Sequence, residues 1–346
     1  MRKPPWMLMV FLFTLIAYNG LKFKPEWAEQ IYALKIFSGF RILWDGTIAH
    51  LPFSLVYLWL CVVLICIVVH LQNLRQKAWS WILLIKRFGQ LLLLHACFFY
   101  WMWGFHYSRV MPWKPQPISD QKFYEEYYAQ KDMLVSLKKN HKGKSTSLDL
   151  AELEETIKVG VAAFLHKNSL PANGSPRCKF LYPKGSLLVW STAGVYVPFA
   201  GESIIDPGLP VLSIPFTMAH EIAHAYGITD EGICNFIAYF ACYQHKDASI
   251  RYAGTFNYFK YLLREIRLRD ASFYRCELEE LPEEIKQDMA EVNEALNRFP
   301  EFLPELRNWL YDFYLKRHGV MAGHQSYHEV VALVIQYKMS QQSDSM

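Results

Sequence analysis

The chain has 346 residues, 52% hydrophobic and 16% aromatic, and 36 Lys and Arg against 32 Asp and Glu give a net charge of +4. That length can hold two ordinary domains, and so small a charge with no long basic run argues against nucleic acid as a partner. The densest cationic stretch, "SLKKNHKGKS", reads as a solvated loop.

The first element follows "MRKPP" and covers about residues 6–20. A basic start and a short apolar run suit a secretory signal, but "AYNGLKFKPEW" has bulky and basic residues where small ones would mark a cut. It reads as a retained membrane span. The second is uncharged: residues 52–71, "PFSLVYLWLCVVLICIVVHL", which at about 1.5 Å per residue reach about 30 Å, the hydrocarbon thickness of a bilayer. The third, residues 88–107, "FGQLLLLHACFFYWMWGFHY", ends in aromatic rings of the kind that favour the membrane–water interface. Residues 1–107 are therefore expected to be a lipid-embedded region with three transmembrane helices. Lys and Arg near the span ends favour, slightly, a cytoplasmic N-terminus and an extracytoplasmic domain after residue 108.

Cys61, Cys66 and Cys97 lie in the spans as small apolar side chains. Cys178, Cys234, Cys242 and Cys276 form an even set that permits disulfides outside the cell, and no CxxC spacing suggests a cysteine-ligated metal. Residues 108–117, with three close prolines, form a stiff linker. The rest, 118–346, reads as a second domain. Helical periodicity runs through "SDQKFYEEYYAQKDMLVSLKKN" and "SLDLAELEETIKVGVAAFLHKN", with Ser119 and Ser147 as N-caps. In residues 187–205, aromatic and β-branched residues broken by Gly194, Pro198 and Gly201 predict short strands with turns. Further helices are expected in "NYFKYLLREIRLRD", "LPEEIKQDMAEVNEALNR" and "LPELRNWLYDFYLKRH". The closing "SYHEVVALVIQYK" is too short to be another span. The fold class is α+β, mostly helical.

Between the strands and the later helices stands "FTMAHEIAHAYGITDEGICNFIAYFAC", residues 216–242. His220 and His224 are about 400° apart on a helix, so they share a face one turn apart and can meet one zinc ion. Glu221, about 100° round, can reach a water in the open coordination position as general base. Two ordinary histidines on an amphipathic helix would look the same in isolation. The surroundings favour the metal: Gly227 suits a left-handed helix end, and Thr229 or Asp230 can cap a second helix. Glu231 at that helix start completes a His₂Glu set. Asn235, one turn on, can accept a ring N–H from a ligating histidine.

"GVYVPFAGESI…PFTMAHEIAHAYGITDEGICNFIAYFAC", the span exit "WGFHYSR" and the closing "SYHEVVALVIQYK" together resemble an uncharacterised family of bacterial membrane proteins, domain of unknown function 3810. The resemblance covers most of the chain. It implies N-terminal spans and a gluzincin-like (zincin) metallopeptidase domain, with one catalytic Zn²⁺ on His220 and His224, Glu221 as base and Glu231 matching the first acid of E-x-E-A-N-F-x-A-Y. The second acid is Ile233 here and the alanine is Cys234. Glu231 and Asn235 keep the gluzincin spacing of ligand acid and Asp or Asn. In such peptidases an edge strand holds extended substrate, a role open to "STAGVYVPFAG". Tyr327 of "GHQSYHE" is the candidate oxyanion donor, with His324 and His328 read as surface or packing residues.

The expectation is a membrane-anchored zinc metalloendopeptidase whose partners are a peptide or protein substrate and the lipid bilayer. The competing reading is a non-catalytic membrane sensor or scaffold keeping the motif as a structural or vestigial metal site. A transporter is disfavoured by few spans with no ionisable group except histidine.

Overall fold

The protein is described by a computed structural model covering residues 6–76, 81–140, 149–305, 309 and 326–343. It is mostly helical with three short strands, and it divides into two compact units.

One unit comprises residues 1–110 together with the short segments 173–179 and 196–202. Three of its helices are long and apolar enough to cross a membrane: α1 (Trp6–Phe23), α4 (Leu55–Arg75) and α5 (Trp81–Met102). Ser54 caps α4, its side chain accepting from the Val56 N–H. The third span departs from the expected 88–107. It begins at Trp81, takes Lys86 and Arg87 into its second turn, and stops at Met102 because Trp103 leaves helical geometry (φ −146°, ψ −53°). Gly104–Ser108 then make a 3₁₀ turn.

Residues 25–45, between the first two candidate spans, are helical throughout: an α-turn α2 (Pro25–Trp27), a π-helical segment (Ala28–Phe37) and α3 (Ser38–Asp45). Their inner side is held by Tyr32, whose hydroxyl donates to the Trp101 carbonyl at 2.8 Å, and by Glu29, paired through both carboxylate oxygens with Arg109. Arg41 bridges Asp45 and the Gly201 carbonyl, and Asp45 accepts from the Ser175 N–H. Trp44 donates to the Ala200 carbonyl at 3.1 Å, and Phe199 stacks on Trp59 at 5.2 Å. Buried Glu202 takes the Leu55 N–H, the Ser54 hydroxyl and the Lys179 ammonium.

The other unit comprises residues 111–172, 180–195 and 203–346. Its helices are α6 (Asp120–Asn140), α7 (Leu150–Lys167), α8 (Ile214–Ala225), α9 (Glu231–Tyr243), α10 (Ala248–Arg269), α11 (Ala271–Glu280), α12 (Glu283–Asn297) and α13 (Ser326–Ser343). Helix α9 is buried from Gly232 to Cys242 and packs against α7, α8, α10 and α13. Apolar residues on all its sides give that central position. Phe164, Phe236, Phe240 and Tyr337 stack around it with centroids 4.8–5.5 Å apart.

Ser119 sits before α6 as expected, while α7 starts at Leu150 with Asp149 in the cap position; Ser147 lies outside the described residues. Helix α10 starts nine residues before the expected stretch, capped by Asp247 accepting from Ser249. Most of the stretch 303–318, also expected to be helical, lies outside the described residues. Cys234, Cys242 and Cys276 are free thiols.

Strands β1 (Cys178–Phe180), β2 (Gly194–Val197) and β3 (Glu202–Ile205) form a sheet in the order β1-β3-β2, which leaves β2 at an edge. The loop leading into β2 hangs from one side chain. Asp206 is fully buried, and its carboxylate accepts from the N–H groups of Gly185, Leu187, Leu188 and Gly208 at 2.7–3.2 Å.

Candidate metal centre

The centre is built on α8, the turn after it and the start of α9. Pro215 occupies the first turn of α8, where its missing N–H has no helical partner to lose. Gly227 ends the helix with φ +84°, a left-handed conformation that costs glycine nothing, and its N–H returns to the His224 carbonyl at 2.7 Å. Asp230 then caps α9, its carboxylate accepting from the Ile233 N–H at 2.8 Å. Of the two residues able to cap, Asp230 does so, and Glu231 next to it is left to face α8.

His220 Nε2 and His224 Nε2 stand 3.1 Å apart, and Glu231 Oε2 lies 3.1 Å from the first and 3.6 Å from the second. These three residues form the metal-type cluster of histidine, cysteine and acid groups among the described residues. Three ligands each about 2.0–2.1 Å from one zinc ion at tetrahedral angles stand about 3.3–3.4 Å apart, so the triangle fits the ion.

The ring orientations point the same way. His224 Nδ1 is 2.7 Å from the Ile228 carbonyl, which can only accept, so Nδ1 carries the hydrogen and Nε2 keeps its lone pair. His220 Nδ1 likewise donates to Asn235 Oδ1 at 2.9 Å. Two ring nitrogens and a carboxylate oxygen therefore converge, a donor set that suits a zinc ion. Burial works against charge on His224, but Cys234 and Glu231 outweigh it and raise the ring's hold on a proton well above the ordinary value. Burial also works against charge on Glu231, yet His224 and His220 hold its carboxyl well below the usual carboxylate range. Glu231 is the most open of the three, its side chain 34% exposed against 13% for His220 and 8% for His224.

Glu221 is buried on the neighbouring side of α8. Its backbone carbonyl accepts from the Ser203 hydroxyl of β3 at 2.6 Å. A methyl at Gly194 would stand 2.7 Å from Glu221 Cγ and 2.9 Å from Oε1, so the edge strand lies directly against the carboxylate side chain. Glycine inside a strand pattern often marks such a close approach. That was the available signal for a neighbour of Glu221 that motif spacing does not reveal.

Cys234 Sγ lies 3.3 Å from His224 Nδ1 and 3.6 Å from the Ile228 carbonyl. Burial pushes this thiol up to about 12, against the opposite pull of the His224 ring. Tyr327 falls in the first turn of α13, and its side chain lies outside the described residues together with that of His328; His324 is outside them altogether.

No curated protein and no solved structure matches this chain. The family model described as "Protein of unknown function (DUF3810)" matches residues 32–335, well over half of the sequence, and the chain belongs to that family.

Proposed function

We propose that this protein is a membrane-anchored, zinc-dependent metallopeptidase of the gluzincin kind, hydrolysing peptide bonds. The observation that supports it best is the convergence of His220 Nε2, His224 Nε2 and Glu231 Oε2 with both Nδ1 atoms already committed to acceptors. A zinc ion held there supplies a Lewis acid that acidifies water and polarises a carbonyl. Ile228 and Asn235 fix the two rings so that only Nε2 faces the ion. Glu221 accepts a proton as water oxygen adds to the peptide carbon, and passes it to the amine nitrogen as the C–N bond breaks. The β2 edge beside Glu221 offers backbone N–H and C=O groups to an extended peptide. Tyr327 is the proposed oxyanion donor.

Purified full-length protein loaded with zinc, assayed on labelled casein, tests this reading. Glu221→Gln should keep the metal and lose about 10²–10⁴-fold in rate. A mutant as fast as wild type removes Glu221 from the reaction. Zinc bound by wild-type protein with no turnover favours the scaffold reading. We also place the metal centre outside the cytoplasm. A reporter active only in the cytoplasm and fused after Met346 should be silent, and a strong signal reverses the sidedness.

A further inference from the structure

From the helical stretch at residues 25–45 we infer a second mode of membrane contact: this stretch lies in the bilayer interface and buries one apolar side among lipid headgroups and upper acyl chains. The inference rests on α1 and α4 crossing the membrane, and not on the metal centre.

The stretch has a protein-facing side. Ala28, Tyr32, Ala33, Phe37, Ser38, Arg41 and Asp45 are all buried, at intervals of four or five through the π-helical segment and then four along α3. Next to that side stand large apolar residues that stay exposed among the described residues: Trp27, Ile31, Leu34 and Ile36, each 44–45% exposed, continued by Ile42 and Leu43 at 58% and 68%. Gln30 and Lys35 are exposed as well, and Lys24 lies over the Trp27 ring at 4.7 Å. An apolar row, a polar row and a tryptophan at their border are the signature of a helix lying in the plane of the interface.

Chain connection identifies lipid as the occupant. The stretch leaves α1 directly at Phe23, which is 83% exposed, and leads to α4 at Leu55. Its two ends therefore belong to the same membrane face. The exposed row also follows in chain order on the exposed apolar residues of α1, where Met9, Phe13 and Ile16 are 59–70% exposed. A row that follows directly on the outside of a span meets the same solvent as that span, first acyl chain and then headgroup. The lysines Lys22 and Lys24 stand at the junction, where long cationic side chains reach the headgroup level.

The test places an environment-sensitive fluorescent amino acid singly at positions 31, 36, 30 and 64 of the full chain, leaving the cysteines untouched. Each protein is reconstituted in phosphatidylcholine–phosphatidylglycerol vesicles. Quenchers are lipids brominated near the headgroup end or near the middle of the chain, and aqueous iodide. Positions 31 and 36 should be quenched more by shallow than by deep bromine, position 30 chiefly by iodide, and position 64, midway along α4, more by deep bromine. If 31 and 36 respond to iodide as 30 does while 64 responds to deep bromine, the interfacial helix is refuted and the spans stand. If 31 and 36 are reached by neither quencher, protein covers them and the inference is overturned. A position 64 beyond the reach of brominated lipid removes the spans and this inference with them.

Discussion

Gly194→Ala puts a single methyl against the proposed general base without touching a proposed metal ligand. The added carbon would stand 2.7 Å from Glu221 Cγ, 2.9 Å from Glu221 Oε1 and 2.9 Å from the Ile204 carbonyl oxygen. Carbon atoms rest at about 3.5–4.0 Å, so a gap approaching 1 Å must open. The Ile204 oxygen is backbone in the adjacent strand and resists moving away. The Glu221 side chain is the softer neighbour, and it takes the displacement. Misplacing a reacting group by about 1 Å costs up to about 10²-fold in rate. Overpacking of this kind lowers stability by about 1–3 kcal/mol. The expected outcome is a folded protein with wild-type zinc content, a nearly unchanged KM and a kcat reduced about 10- to 100-fold. Metal analysis, thermal unfolding and steady-state kinetics on one preparation measure all three. A zinc-loaded Gly194→Ala protein with wild-type kcat would refute the claim that this strand sets the position of Glu221. Loss of zinc would show that the strain passes on to the histidines.

Glu231→Ala should lose zinc on mild dialysis, since catalytic sites normally use three protein ligands and two would remain. Asp230→Ala should keep zinc and unfold about 0.5–2 kcal/mol more easily through loss of the α9 cap; zinc retained in the first and lost in the second would transfer the ligand role to Asp230. Asn235→Ala frees the His220 ring to rotate and should weaken zinc binding about 10- to 100-fold, read by competition with a chromogenic chelator. An unchanged affinity would show that α8 packing alone orients His220.

The parts of the centre that were legible in the sequence are those decided within a turn or two of chain. Helical geometry alone brings His220 and His224 together, and Gly227 and Asp230 have side-chain reasons to end one helix and begin the next. The Ile228 carbonyl is different, because a backbone acceptor carries no residue signature. The closeness of Gly194 to Glu221 depends on sheet order, with β2 outermost, and no local pattern encodes that. In α10, Gly254 interrupts the apolar pattern, and the structure uses that glycine to bring the helix close to Cys242 on α9. Residues 25–45 escaped for a reason of period. In the π-helical segment the buried positions recur every four or five residues, which an α-helical period of 3.6 does not match. The third candidate span starts earlier than its uncharged stretch, because Lys86 and Arg87 sit exposed five and six residues after Trp81, where long stems can carry charge to an interface.

The span-bearing unit is assembled from three separate pieces of chain, and residues 173–179 and 196–202 return to it long after the last span has ended. Those pieces find their partners in Arg41, Trp44, Asp45 and Ser54. No single cut therefore separates the two units. A truncation beginning at residue 111 would carry both pieces without the side chains that bind them, and β2 and β3 would each lose the partners of one end. The spans are thus unlike a detachable tether: exchanging them for a foreign anchor would remove part of the folded protein, and biochemical work on this chain has to begin from its whole length in detergent or lipid.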